Sequence, residues 1–239
     1  IGIGLSAGKV TQGQAAVAVG RQSAVNNQGN YGVAVGYLAG EVSQGVSSIA
    51  IGHAAGSADQ ATNAVAIGYA TAQNSQGENA VAIGYLSGSN DQGARGVAIG
   101  LEAGQGDQGH SSVCIGYRAG RLGNGVQNVA IGNHAAYNAQ GNNSIAIGVN
   151  AGQADQGTTS IALGLNAALN NQGNFATAIG FDAAKNGQPA HSLFFSTNSI
   201  RTNGGGGIVY FANSTGEFTW QNSDDRIKDD ESVITGAVK

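Results

Sequence analysis

The chain has 239 residues, of which 41 are glycine and one is proline; 10% are charged and the formal net charge is −4. That length can bury a sizeable core, the low charge and β-branched content exclude charge-driven disorder, and glycine without a three-residue period excludes collagen. The ten basic residues are spread too thinly for a nucleic-acid footprint, no apolar run reaches the roughly 18 residues of a membrane span, and the single cysteine, Cys114, excludes a disulfide framework or cysteine-based zinc site within one chain.

The chain opens on Ile1-Gly2-Ile3-Gly4, without Met or a signal peptide, and reads as part of a longer protein. From there a glycine closes a short apolar run at Gly4, Gly20, Gly36 and every sixteenth residue to Gly180. So short a strict period predicts a solenoid whose units bury a core only by stacking. Three residues before each glycine stands a β-branched residue, such as Val17, Ile49 or Val81. One residue before it stands another aliphatic, such as Val19, Ile51 or Ile83. These two columns share one face of a strand and predict two stacked aliphatic ladders as the core. Period 2, β-branching and a glycine in every unit exclude a helix.

The column between them is alanine in ten of the twelve repeats, the others being Gly2 and Cys114. By alternation it faces the other way, and it carries no polar side chain. The reading is a second buried face that meets other subunits in an oligomer around a common axis. The alternative is a flattened coil whose own backbone covers that face. Eight residues after each glycine stands Gln12, Gln28, Gln44 and so on to Gln188, with Asn124 the one exception. Gly follows in ten of twelve cases, as in Gln92-Gly93, and is read as supplying the positive φ of a tight corner. Stacked amides can bond along such a column, so its role is structural. Sixteen residues give a coil perimeter of roughly 50 Å and twelve coils a rod of about 55–60 Å. The expected fold is an all-β parallel roll or β-helix of about twelve coils over residues 1–191.

The period ends after His191. Residues 192–222 are rich in aromatics and contain two strand-like runs, Ile208–Ala212 and Glu217–Gln221, around the turn Asn213-Ser214-Thr215-Gly216. This stretch reads as a neck or cap to the roll. The candidate binding residues are aromatic: Tyr37, Tyr69, Tyr85 and Tyr117, just after the repeat glycine, and Trp220 in the neck. Stacked rings can bind a glycan; they more often pack a corner or a subunit interface. Asp59, Asp91, Asp107 and Asp155 share a corner column, where solvent or a cation would relieve their repulsion. The histidines His53, His110, His134 and His191 have no metal-ligand spacing, and no cofactor is called for. No catalytic triad, carboxylate pair or phosphate loop stands out. A flat Thr ladder for ice binding is lacking, since Thr11, Thr62, Thr71 and Thr158-Thr159 are scattered.

The run Asn79-Ala80-Val81-Ala82-Ile83-Gly84 and its copies, including Val65–Gly68 and Val129–Gly132, resemble the head repeat of YadA-like trimeric autotransporter adhesins. The resemblance implies a left-handed parallel β-roll, a homotrimer and an extracellular role. The family repeat is commonly shorter, and here a Gln-Gly corner is added. Further on, Ser223-Asp224-Asp225-Arg226-Ile227-Lys228 resembles the opening of the self-cleaving intramolecular chaperones of viral tailspikes and fibres. That resemblance implies Ser223 as nucleophile, Lys228 as its base and Asn222–Ser223 as the scissile bond, with residues 223–239 the start of the chaperone. Together the two resemblances point to a homotrimeric fibre or spike segment on a virion surface, serving attachment to a host glycan or receptor, with no enzymatic activity beyond self-cleavage. The alternative is the passenger head of a bacterial adhesin, and a monomeric glycan- or ice-binding solenoid ranks below it. Neither membrane insertion nor nucleic-acid binding is expected.

Overall fold

The computed structural model describes residues 1–196, together with the backbone of two later strands, Gly207–Phe211 and Phe218–Asn222. The first 196 residues form a parallel β-solenoid with a sixteen-residue coil. Its main sheet has thirteen strands, from Gly2–Ile3 through Val81–Ile83 to Leu193–Phe195. Each residue pairs with the one sixteen places on: Val81 with Val97, Ala82 with Ala98, Ile83 with Ile99. The backbone bonds pass from coil to coil, as in Val81 N–H to Gly96 O (2.8 Å) and Gly84 N–H to Ile67 O (2.9 Å). Every inner strand of the main sheet is therefore satisfied by its neighbours in the stack.

A second ladder runs along the other side of the coil. It has four strands between Val10–Gln12 and Ala58–Gln60, and five between Leu122–Asn124 and Asn186–Gln188. Between these blocks only the glutamine positions stay bridged, Gln60 to Gln76, Gln92, Gln108 and Asn124 in turn. The main sheet runs on past His191, because Leu193 and Phe195 fall in phase with Thr177 and Ile179. The first residues of the stretch read as a neck thus complete a further strand of the roll. Gly207–Phe211 and Phe218–Asn222 pair antiparallel, with Val209 opposite Trp220, so the hairpin is present one residue away from the sequence reading at either end.

The core is the reverse of the expected one. The alanine column points into the coil: Ala18, Ala34, Ala50, Ala66, Ala82 and Ala98 are fully buried, as is Cys114. The Val and Ile columns point outwards and are half-buried or exposed. Among the described residues no Val, Ile, Leu, Phe or Tyr is buried; the buried apolar side chains are alanines and Cys114 alone. The alternative of a flattened coil covering its own alanine face is the correct one. The space between the two ladders is narrow, and it is already filled by alanine methyls and the glutamine amides. In Gly40's coil an added Cβ would lie 2.9 Å from Gln44 Cδ and 3.3 Å from Ala34 Cβ. A branched aliphatic has no room there.

The glutamines form the amide ladder. Gln28 Nε2 donates to Gln44 Oε1 at 3.0 Å, Gln60 to Gln76 at 3.0 Å, and Gln76 to Gln92 at 3.1 Å. The same nitrogen also donates across the coil to the outer strand, as in Gln76 Nε2 to Val65 O at 2.9 Å. From Gln28 to Gln188, Asn124 included, these side chains are only 1–5% exposed. A buried amide is stable only when bonded, and most are bonded both within the coil and along the stack; the steps from Gln108 to Asn124, Asn124 to Gln140 and Gln156 to Gln172 are missing.

The glycine after the glutamine has a different reason from the one expected. Gly13, Gly29 and Gly93 do not have positive φ. An added Cβ at Gly29 would meet Gly45 C of the next coil at 2.6 Å, so the column is held small by close approach of stacked corners. Positive φ falls instead on non-glycine residues, at Asn27 (54°) and Tyr31 (62°) in that coil. The repeat glycine needs both properties. Gly84 has φ +134°, and a Cβ there would collide with Gly100 O of the coil beyond.

Candidate functional site

The repeat motif chosen from the sequence now has a place for each member. Val81 and Ile83 lie on the outer face, Ala82 lies inside, Gly84 makes the first corner, Gln92 belongs to the amide ladder and Gly93 to the second corner. The outward Val and Ile columns make a stripe along the whole main sheet. A third column, just after the repeat glycine, is exposed as well: Leu5, Tyr37, Tyr69, Tyr85, Leu101, Tyr117, Val149, Leu165 and Phe181, by 38% at the least. Among the described residues the Val/Ile stripe goes well beyond the scattered apolar residues of an ordinary surface.

The aromatic candidates separate into two groups. Tyr37, His53, Tyr69 and Tyr85 occupy consecutive coils, with ring centroids 5.1, 4.8 and 5.1 Å apart in turn. The last two contacts are stacked, and Arg21 lies 5.6 Å from the far face of the ladder at Tyr37. His53 and Tyr69 have both ring faces against their neighbours in the run, so the stack packs largely against itself. Tyr117 stands apart from that ladder. It meets Arg118, 4.9 Å above its ring, and His134, edge-on at 5.0 Å. Trp220 lies in the second hairpin strand, and only its backbone is described. Ser223 and Lys228 lie outside the described residues.

The aspartate column is explained by backbone. Asp59, Asp91, Asp107 and Asp155 take positive φ, at 48°, 43°, 24° and 54°, a region that Asp and Asn tolerate better than most residues. They are exposed. The coil of residues 113–128 is the irregular one. Cys114 replaces alanine and Asn124 replaces glutamine, and their side chains touch, with Asn124 Nδ2 3.1 Å from Cys114 Sγ. Gln108 Nε2 turns to the same sulfur at 3.3 Å instead of to an amide. The amide ladder breaks there, and Asn124 Oδ1, Asn128 Nδ2 and Gln140 Oε1 are left buried without a partner; Gln172 Oε1 is a further orphan. Burial raises the Cys114 thiol to about 12 despite lowering bonds from Gln108 and Asn124, so it is not a nucleophile at neutral pH.

The second corner holds side chains that the sequence did not single out. Asn30, Asn142 and Asn174 accept from the backbone N–H of Gln14, Val126 and Thr158 in the preceding coils, at 2.8–3.0 Å. His110 Nδ1 does the same for Ala94 N–H at 3.0 Å. These residues are structural staples between coils.

A family model described as the YadA head domain repeat, in two copies, matches residues 12–39, 43–71, 75–103 and 138–151. Neither the curated proteins nor the solved structures returned a match. The widest gap between matched stretches contains the irregular coil around Cys114 and Asn124. The matched coils of this solenoid are thus similar to the head repeats of YadA-type adhesins, which are surface-exposed proteins.

Proposed function

We propose that this chain is one protomer of a homotrimeric, adhesin-like fibre segment that works outside the cell or on a virion surface. The carrying observation is that every large aliphatic and aromatic side chain described is at least partly exposed in a single chain, and most of them gather on one face. Fully burying one such side chain contributes about 1.5–3 kcal/mol, so the stripe is a strong drive towards association. The interface is therefore assigned to the Val/Ile face rather than to the alanine face. Similarity of the coils to YadA head repeats supports a threefold arrangement. The function that follows is mechanical: a stiff spacer that presents or supplies attachment to a host surface.

The motif from Ser223 to Lys228 supports maturation by a C-terminal chaperone in this reading, and with it a viral source. Lys228, in its neutral form, takes the Ser223 hydroxyl proton; the oxygen attacks the Asn222 carbonyl carbon, the peptide C–N bond breaks, and the amine leaves with a proton. Water then hydrolyses the resulting ester. The test of assembly is native mass by light scattering after gel filtration. About three times the 23.6 kDa chain mass supports the proposal. A single-chain mass would overturn it, since the apolar stripe would then stand in solvent.

A further inference from the structure

The corner after the repeat glycine carries one charged cluster that the repeat itself does not require. Arg118 Nε lies 2.8 Å from Glu102 Oε2, and Arg121 Nε lies 2.9 Å from the same oxygen. Arg121 Nε also reaches Gln105 Oε1 at 2.9 Å, and its Nη1 donates to the Tyr137 hydroxyl at 2.8 Å. Arg118 lies over Tyr117, and Arg121 is 5.6 Å from the Tyr137 ring centroid. Two guanidiniums thus share one carboxylate, leaving a positive charge uncompensated on a chain of net charge −4.

The way they are held matters. Both arginines are anchored through Nε, the inner nitrogen of the fork. Among the described residues, both Nη atoms of Arg118 and the Nη2 of Arg121 make no hydrogen bond, and the two side chains are 32% and 25% exposed. Glu102 and the tyrosine rings fix the guanidinium planes beforehand, which lowers the ordering cost of binding. The free Nη1–Nη2 edge of Arg118 matches the two oxygens of a carboxylate or sulfate, and Arg121, with Nη1 on Tyr137, keeps Nη2 as a single further donor. Tyr117, Tyr137 and His134 border the cluster, and burial with the two arginines nearby lowers the His134 pKa, so its ring stays neutral there. A neutral aromatic surround beside paired guanidiniums suits a sugar ring that carries an acid group. The Tyr37–Tyr85 ladder has no such guanidinium pair, only Arg21 near Tyr37.

We propose that Arg118 and Arg121 form a binding site for an acidic sugar, whose carboxylate or sulfate docks on the free guanidinium edges beside Tyr117 and Tyr137. This rests on the attachment reading above, and gives it a ligand class. The competing occupant is an acidic side chain of a neighbouring protomer.

The experiment is calorimetric titration of the assembled protein with sialyllactose against lactose, and with a sulfated heparin disaccharide against its desulfated form. Binding of at least one acidic sugar, tenfold or more tighter than its neutral counterpart and weakened by salt, is the expected result. The preferred arm tells carboxylate from sulfate. Arg118→Gln with Arg121→Gln should lower that affinity tenfold or more, while Arg95→Gln, at the other corner, leaves it unchanged. Equal binding of acidic and neutral sugars, or an unaltered affinity in the double variant, would overturn the site. So would a double variant that loses its oligomer while the wild type binds no acidic sugar, because the arginines would then serve the subunit contact. Adhesion of the wild-type protein to host cells is scored separately. If adhesion survives the double variant, the site fails and attachment stands; if the wild type does not adhere at all, attachment fails while the titration still reads the site.

Discussion

The break in the amide ladder offers a quantitative check on how the core is held. Cys114 is larger than the alanine it replaces and Asn124 is one methylene shorter than the glutamine it replaces, and the two touch. We expect them to be a compensating pair. Restoring both, as Cys114→Ala with Asn124→Gln, should let Gln108 donate to residue 124 and residue 124 donate to Gln140. Each restored bond gives a partner to a buried acceptor that now lacks one, at residue 124 and at Gln140, worth about 1–3 kcal/mol apiece. The double variant should be stabilised by about 2–6 kcal/mol per chain, a rise of roughly 4–24 °C in Tm at this size. Asn124→Gln alone should be destabilising by about 1–3 kcal/mol, because the longer amide meets the Cys114 sulfur. Cys114→Ala alone leaves a small cavity and keeps the orphans. Thermal and denaturant unfolding of the four proteins, at one scan rate and concentration, gives the coupling energy. Additive effects, with coupling below about 0.5 kcal/mol, would refute the idea that the two side chains share one space.

Other outcomes follow from the same geometry. Ile83→Asp, on the outer face, should abolish oligomer formation while far-UV circular dichroism keeps its β signal, because the coil interior does not use that side chain; a normal soluble trimer would sink the interface assignment. Gly84→Ala should cost about 2–5 kcal/mol, from a φ of +134° and a collision with Gly100 O, measured as lost Tm. Gln76→Ala removes a donor to Val65 O and Gln92 Oε1 and should destabilise by about 2–4 kcal/mol, read by denaturant unfolding. The Cys114 thiol, buried and raised to about 12, should be inert to Ellman's reagent at pH 8 until the protein is unfolded. Its folded value lies above the unfolded one of 9.0, so the folded form holds its proton more tightly. Stability should fall as pH rises from about 9 to about 12, and the Cys114→Ala variant should lack that component.

Much of the molecule was legible in the sequence because a strict repeat places each residue directly above its copy. The sixteen-residue register, the parallel strand at Val81–Ile83, the absence of helix among the described residues and the glutamine ladder all follow from reading columns. The in-phase Leu193 and Phe195 were equally readable, and only the loss of the alanine and glycine columns hid them. The site was less legible. Arg118 and Arg121 lie sixteen and nineteen residues after Glu102, and they become its neighbours only once the coils are stacked.

What the sequence determined alone was periodicity: which residues share a column, and that one strand is apolar on both faces. Which face turns inwards is a matter of volume. Hydrophobicity favours Val and Ile inside, but a sixteen-residue coil that also encloses a glutamine amide has space for a methyl group and little more. Close packing does not admit the larger side chain, so alanine takes the interior and the branched residues are left outside for a partner. Likewise, glycine at the Gln-Gly corner reflects the distance between stacked backbones, a quantity that exists only after the coils have closed on one another.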